Sequence, residues 1–409
     1  MRRMEIVVIG AGQAGLSVSH ELTKAGRDHV VLERGQVGQR WRERWDSFHL
    51  VLPNWSVRLA GGGYRGEDPD GFLPRDEVVA LLAEYGGSFA APVEEGVTVV
   101  EVVPTSDGFR LETSAGSIAV RRLVVASGGY QEAHRPAALG ELSRRVTVID
   151  SSTYRRPADL PDGTVLVVGS GQSGCQISDE LHAAGREVVL SCGKAPWQPR
   201  RVAGKDIFWW VVDTPFMRMT LADLPTPLAR LSPNPQVSGA QGGRDLNYRT
   251  LQRTGVRLVG HLSGADDTSL RFAPDLADSV AFGDARFRDI RALVEHSALA
   301  KGVPVPELPD PAPWRADEVT TMSVKSIGAV VVAAGYRPTY RSWIDIPAAF
   351  DPLGFPLQRD GTSTVVPGLH FAGVPFQRSR ASATLWGAGE DATALVDSIV
   401  QEDRVGAIV

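Results

Sequence analysis

Glu5-Ile6-Val7-Val8-Ile9-Gly10-Ala11-Gly12-Gln13-Ala14-Gly15-Leu16 has a counterpart later in the same chain, Thr164-Val165-Leu166-Val167-Val168-Gly169-Ser170-Gly171-Gln172-Ser173-Gly174. Each stretch is a short apolar strand, then G-x-G-Q-x-G, then a helical pattern. The parallel continues past the glycines: Ala25-Gly26-Arg27 answers Ala184-Gly185-Arg186, and another apolar strand follows each. A lone G-x-G-x-x-G says little, but two of them in strand–turn–helix–strand context mark a dinucleotide fingerprint. The first glycine allows the tight turn, the second lets backbone approach a pyrophosphate, and the third lets helix and strand pack closely. The helix N-terminus offers free N–H groups and positive dipole to the phosphates. The sequence therefore predicts an α/β fold with two Rossmann-like dinucleotide-binding domains.

The two copies differ where their ligands would differ. In the first, the second strand ends at Glu33, 18 residues after Gly15. A carboxylate there accepts hydrogen bonds from a ribose 2′-hydroxyl. In the second copy the equivalent residue is Ser191, which would not repel a 2′-phosphate as an acid would. Lys194, Arg200 and Arg201 follow, and arginine suits bidentate phosphate contacts. The first site reads as one for FAD and the second as one for NADPH. Gly10, Gly12, Gln13, Ala14, Gly15 and Glu33 are the first site's candidates; Gly169, Ser170, Gly171, Gln172, Ser173, Gly174, Ser191, Lys194, Arg200 and Arg201 are the second's. After the first unit come Arg34, Arg40, Trp41 and Trp45, in a stretch rich in arginine and tryptophan that can wrap a planar ring and phosphates.

Composition narrows the class. The chain has 409 residues, enough for two or three domains, and 43% hydrophobic residues, enough for a sizeable core. A net charge of −5 and no long Lys/Arg run argue against nucleic acid. Cys175 and Cys192 do not form a C-x-x-C pair, so neither a disulfide framework nor a dithiol centre is expected. No secretory signal pattern is visible and no apolar run reaches about 18 residues, so a cytoplasmic enzyme without a membrane span is the expectation. The eight histidines show no metal-ligand spacing.

In chain order, 78–85 shows helical spacing, 97–103 and 108–113 read as a hairpin joined at Pro104–Asp107, and Ile118–Val120 adds a third crossover strand, with Val99 a candidate cofactor contact. Leu123 to Tyr130 returns to the first domain, its small residues Ala126 and Gly128 letting backbone approach a cofactor. Residues 196–250 form an aromatic and proline-rich insert; seven prolines between 196 and 235 exclude one long helix. It reads first as a cap on a substrate pocket, next as a contact to a second subunit in a homodimer, last as a membrane-surface contact. Strands are expected at 256–259 and 270–272, a helix around Phe287–Val294, and a strand at Ile327–Val332 running into Ala334 and Gly335. A strand from Leu369 ends at Gly373 and Val374. The last helix should start around Ala381–Ala383, with Leu385 in its first turn, and aim its N-terminus at negative charge on a reduced flavin. The domains are set at 1–157 (FAD, first part), 158–325 (NADPH, with the insert) and 326–409 (FAD, second part), so that the C-terminal part rejoins the first sheet.

The combination of GAGQAGL at 10–16, Glu33, W-x-x-x-W-D-S at 41–47, GSGQSG at 169–174 and AAGYRP at 333–338 resembles the flavin-containing monooxygenases, in the broad bacterial class B sense and near the plant auxin-forming members. The resemblance spans nearly the whole chain. It implies that NADPH delivers hydride to flavin N5, that reduced flavin meets molecular oxygen, and that a C4a-peroxyflavin oxygenates a small amine, sulfide or ketone. Two positions depart from the family. Val51 stands where the family carries a loop asparagine before the proline, with Asn54 three residues on. Asp150 stands where the interdomain linker carries a histidine. An NADPH-dependent oxidase or reductase without organic oxygenation therefore stays open. His49, near the flavin loop, reads as a structural histidine, with proton donation as the alternative.

Overall fold

The computed structural model describes residues 1–140, 142–144, 146–315 and 318–406. It contains two sheets built on the two glycine loops. In the first, the strand Arg2–Ile9 lies between His29–Glu33 and Gly116–Val125, parallel to both, with Ile6 opposite His29 and Val7 opposite Leu123. The full order runs 358–359, 362–363, 369–371, 116–125, 2–9, 29–33, 93–95, and the hairpin 99–105/108–113 leans on 116–125. The second sheet has five parallel strands in the order 147–150, 327–332, 164–168, 188–191, 257–259. Its central strands read as unbroken valine and leucine runs because helices and loops cover both faces, and Val165 to Val168 and Ala329 to Val332 are all buried.

The second sheet moves both expected domain boundaries. Thr147–Asp150 and Ile327–Val332 pair with each other in parallel, and Ile327–Val332 also lies along Thr164–Val168. Strand 327–332 therefore does not rejoin the first sheet; the boundary at 157/158 falls between two strands of the second sheet, and that at 325/326 falls just before a third. The chain returns to the first sheet later, through Leu369–Phe371 beside Gly116–Val125, with 358–359 and 362–363 at its outer edge. An apolar strand ending in small residues fits the carboxyl edge of either sheet, so its sequence does not choose between them.

Other elements are shifted or longer than expected. The hairpin turn is Ser106-Asp107, with Pro104 and Thr105 still paired, and 118–120 and 123–125 form one continuous strand. The expected helix at 78–85 spans Arg75–Ser88, and that around 287–294 spans Leu276–Lys301, closed by Gly302 in the left-handed region (φ 64°). Strands appear at Arg257–Val259 and Ser269–Phe272. The C-terminal helix begins at Ala388, not at 381–383. Phe376 and Ala383 have φ of 57° and 67°, conformations that a helix cannot contain, so the residues before Ala388 form turns. The insert 196–250 is a chain of short pieces: a two-residue hairpin, a helix at Ile207–Val211 and another at Pro215–Arg218. Asp206 caps the first by accepting from the Phe208 N–H at 2.8 Å. Among the described residues no helix is long and apolar enough to cross a membrane.

Candidate dinucleotide sites and the cleft between them

The first glycine loop shows why Gly10 and Gly15 are needed. Gly10 turns at φ 107°, and a methyl group on it would lie 2.8 Å from the Ala126 carbonyl oxygen. A methyl on Gly15 would lie 1.9 Å from the Gly10 carbonyl oxygen, so helix and strand could not approach. Gly12, at the head of helix Gln13–Lys24, faces open space, and no side chain caps that helix. Its free N–H groups and positive end suit a phosphate. Glu33 is 7% exposed. One of its oxygens accepts from the Ala11 N–H at 2.8 Å and the other from the Gly35 N–H at 3.0 Å. The carboxylate thus braces the loop and keeps lone pairs to spare.

Around this loop the structure gathers several of the expected residues. Trp41 donates its indole N–H to Gln13 Oε1 at 3.0 Å, and Gln13 Nε2 reaches the Ala383 carbonyl at 3.4 Å. Gly373, in the left-handed region, lies so close to Ala14 that a methyl group on it would fall 2.8 Å from the Ala14 Cβ. Ala126 continues the central strand, and the Gly128 carbonyl accepts from Tyr340 at 2.9 Å. Trp45 is buried edge-on to Phe48 at 5.1 Å. Val374 is buried, and the Leu385 carbonyl accepts from the Arg58 N–H at 2.8 Å. Arg40 pairs with Glu43 at 2.7 Å and donates to the Tyr130 carbonyl at 2.5 Å; Arg34 also pairs with Glu43. Burial would raise the Glu43 carboxyl, but Arg40 and Arg34 outweigh it and hold it below the usual range. Val99 is half-buried in the crossover hairpin opposite Thr113.

The second loop repeats the geometry. Gly169 turns at φ 101°, a methyl on it would fall 2.6 Å from the Ala333 carbonyl oxygen, and one on Gly174 would fall 1.9 Å from the Gly169 oxygen. Gly171 heads helix Gln172–Ala183 without a side-chain cap; Ser173, half-buried, follows in the first turn. Here the insert supplies braces that sequence reasoning missed. Ser170 is buried; its hydroxyl meets Tyr248 at 2.5 Å and accepts from the Gly193 N–H at 2.9 Å, while Gln236 donates to the Ser170 carbonyl at 2.6 Å. Gln172 joins its amide to the Val237 backbone through both ends. The Gln236–Ser170 contact spans 66 residues of chain, so no local pattern announces it.

Several proposed ligand contacts are used inside the protein instead. Ser191 is 2% exposed; its hydroxyl donates to the Gly260 carbonyl at 3.1 Å and accepts from the Leu262 N–H at 2.9 Å. Arg200 is 2% exposed. It pairs with Asp206 at 2.6 Å, donates to the Val51 carbonyl at 2.8 Å and stacks 4.6 Å over Phe72. It ties the insert to the first domain and does not face a 2′-phosphate. Arg201 is exposed and donates to the Gly242 carbonyl at 3.1 Å, and Lys194 is exposed. Asn54 is buried and engaged at both ends: its amide donates to the Asp68 carbonyl at 2.9 Å and its oxygen accepts from the Leu73 N–H at 2.7 Å. Val51 contributes its carbonyl, to Arg200. Asp150 is held by Arg135 through two bonds of 2.9 Å. His49 Nδ1 lies 2.8 Å from the Ser47 carbonyl. Ala334 and Gly335 end the second sheet's strand, and the Gly335 carbonyl accepts from the His134 N–H at 2.9 Å. Cys175 and Cys192 are buried and free, and burial pushes both thiols up.

The segment 373–385 joins the two sites. It touches Gln13 and Ala14 directly, and Arg380 within it donates to Asn234 Oδ1 at 3.3 Å. Asn234 adjoins Pro233, whose ring would be 3.5 Å from a methyl on Gly171. Beside it, Trp55, Phe208 and Trp386 pack ring to ring at 5.3–5.7 Å, one each from the first-domain loop, the insert and the C-terminal segment.

Known proteins share this plan. An oxidoreductase of Geobacillus kaustophilus named CzcO-like is 29% identical over 399 residues, 97% of this chain and 98% of its own length. Flavin-containing monooxygenase FMO GS-OX-like 3 of Arabidopsis thaliana is 30% identical over 236 residues, 48% of this chain and 52% of that protein. The solved flavin-containing monooxygenase from Stenotrophomonas maltophilia has the same fold, with a TM-score of 0.68 at 21% identity over 98% of this chain and 99% of that one. The family described as pyridine nucleotide-disulphide oxidoreductase matches residues 7–211, which contain both glycine loops; this chain belongs to that family.

Proposed function

We propose that this chain binds FAD at the first glycine loop and NADPH at the second, and that it oxygenates a small amine, sulfide or ketone with molecular oxygen. One observation carries the reading: both loops have an uncapped helix N-terminus and a glycine cradle that a single methyl would fill, and one segment, 373–385, touches the first loop's helix and bonds Asn234, beside the proline over the second. The named monooxygenase relatives point the same way. FAD, when bound, supplies hydride acceptance and oxygen activation.

The chain's own residues bind, orient and exclude water. The N–H groups ahead of Gln13–Lys24 and Gln172–Ala183 would take the two diphosphates. Glu33 would hold the flavin-side ribose, and the 373–385 turns with Gly128 would shape the ring pocket. Trp55, Phe208 and Trp386 form an aromatic wall where insert and first domain meet, which suits chemistry that must be kept dry. For the 2′-phosphate, Lys194 and Arg201 remain as exposed cations, Arg200 and Ser191 being used internally.

A second reading, an NADPH oxidase or reductase, draws on a specific observation. Asn54 has both amide ends engaged and Asp150 is chelated by Arg135, so neither is poised to assist oxygen transfer. Purified protein should be yellow with one FAD per chain, and its NADPH consumption should rise with one member of a panel of amines, sulfides and ketones. Consumption that no panel member accelerates favours the second reading.

A further inference from the structure

The W-x-x-x-W-D-S stretch at 41–47 has no task in the chemistry above, yet a chain of hydrogen bonds runs through it from one glycine-loop helix to the other. Trp41 donates to Gln13, the first residue of helix Gln13–Lys24, at 3.0 Å. Farther along the stretch, the Glu43 carbonyl accepts from the Arg155 guanidinium at 2.7 Å, and the Asp46 N–H donates to the Arg155 carbonyl at 2.9 Å. Tyr154, the residue before, reaches the opposite way. It is 1% exposed, and its hydroxyl donates to Glu180 Oε2 at 3.0 Å. Glu180 belongs to helix Gln172–Ala183, the one headed by the second glycine loop.

The segment carrying Tyr154 and Arg155 is a loop of the second unit. It leaves that unit's sheet after Asp150, and the chain re-enters the sheet at Thr164. The Ser151 N–H still bonds the Val332 carbonyl at 2.8 Å, and the Tyr154 N–H closes a turn on the Asp150 carbonyl at 3.0 Å. From this base the loop hooks onto the first unit. Because residues 154 and 155 grip opposite units, the loop cannot shift against one without pulling on the other. The Tyr154 ring lies in the apolar core, where phenylalanine would fill the same space. What tyrosine adds is the one bond to the second-loop helix.

We propose that Tyr154 is a positioning residue for hydride transfer: its bond to Glu180 completes a strut that fixes the two glycine loops relative to each other. This rests on the reading of the loops as the FAD and NADPH sites. In the step it serves, the C4–H bond of NADPH breaks, an N5–H bond forms, and NADPH and oxidised flavin become NADP⁺ and the reduced flavin anion. Each dinucleotide is held by its own unit, so the strut does not decide how tightly either binds. It decides how well C4 meets N5, and a misplacement of about 1 Å can cost on the order of 100-fold in rate. The effect therefore belongs to the rate of reduction and not to affinity.

Tyr154→Phe removes the hydroxyl alone. Stopped-flow mixing of FAD-loaded protein with NADPH without air gives the limiting rate of flavin bleaching and the NADPH Kd. The limiting rate should fall about 5- to 50-fold, with the Kd within about twofold of wild type and FAD content and circular dichroism unchanged. Glu180→Ala should match it, Glu180→Gln, which keeps an acceptor, should retain most of the rate, and Tyr154→Phe with Glu180→Ala should lose no more than either alone. A second readout needs no turnover. The native cysteines are buried, so spin labels go to Glu84→Cys and Arg253→Cys, exposed helix positions in the first and second units. Their separation, measured by pulsed electron resonance, should be one narrow distribution in the otherwise wild-type protein and a broader or shifted one with Tyr154→Phe. An unchanged limiting rate overturns the proposal, whatever happens to stability, because the bond would then only hold the fold. A loss carried by Kd, or a slower rate with an unchanged label distribution, overturns it as well. Wild-type flavin that NADPH does not reduce refutes the reading of the two loops, a different outcome from any of these.

Discussion

Arg200→Ala separates two roles for one side chain. Its guanidinium and the Asp206 carboxylate are each 2% exposed, 2.6 Å apart. Removing the arginine leaves that carboxylate buried and unpaired, and breaking such a pair from one side costs about 3–5 kcal/mol. The Val51 carbonyl loses its donor as well, although the smaller side chain admits water to it, so we take the total as about 4 kcal/mol. Asp206→Ala should cost about 1 kcal/mol more, since it also removes the cap on Ile207–Val211. An apolar pair at both positions should recover much of the loss, because buried ion pairs exchange for well-packed apolar groups at little cost. Urea unfolding of the FAD-loaded protein, followed by far-ultraviolet circular dichroism, measures these differences. The ratio of kcat/KM for NADPH over NADH, measured on the same variant at low temperature, should change by less than about twofold. A stability loss under about 1 kcal/mol together with a collapse of that ratio would show that Arg200 reaches the cofactor and that the buried pair is not what holds the insert.

Gly15→Val should give colourless protein, because even its first carbon would press on the Gly10 carbonyl at 1.9 Å; full flavin absorbance would contradict the cradle. Asp391 is buried in the first turn of the C-terminal helix, and burial lifts its carboxyl to about 6 against opposition from Ser382 and Arg378. A carboxyl raised in the folded state contributes stability that is full below its unfolded value near 3.9 and is lost as pH rises through about 6. Asp391→Asn should therefore stabilise the protein by on the order of 1–3 kcal/mol at pH 8 and change little at pH 4; equal effects at both pH values would refute the shift. Lys194→Ala should raise the KM for NADPH about tenfold while leaving that for NADH unchanged; no change for NADPH would pass the 2′-phosphate to Arg201.

The two dinucleotide units were legible because their signals are local. Gly10, Gly15, Gly169 and Gly174 are required by backbone within a few residues or by the next strand over, and Glu33 follows at fixed spacing. What was not legible depends on distant partners. Arg200 and Arg201 look alike in sequence, yet Phe72, Val51 and Asp206 bury one and leave the other in solvent. Ser191 is a strand-end residue like Glu33, but the turn at 260–262 claims its hydroxyl. Asn54 resembles a reactive loop asparagine and is instead spent on the loop 68–73. Strands 147–150 and 327–332 exchange sheets because parallel pairing is set by crossovers many residues long, which an apolar pattern does not encode. The late start of the last helix follows from Phe376 and Ala383 in left-handed backbone, a conformation that no residue type there foretells.

The central claim, oxygen transfer to an organic substrate, is tested most directly by labelled oxygen. FAD-loaded protein would be reduced with NADPH without air, then mixed with ¹⁸O₂ and whichever sulfide, amine or ketone accelerates NADPH consumption, and both product and hydrogen peroxide would be quantified by mass spectrometry and peroxide assay. A monooxygenase places one ¹⁸O atom in the product for each NADPH consumed and releases little peroxide. Unlabelled substrate with stoichiometric hydrogen peroxide would contradict oxygen transfer and leave an NADPH oxidase.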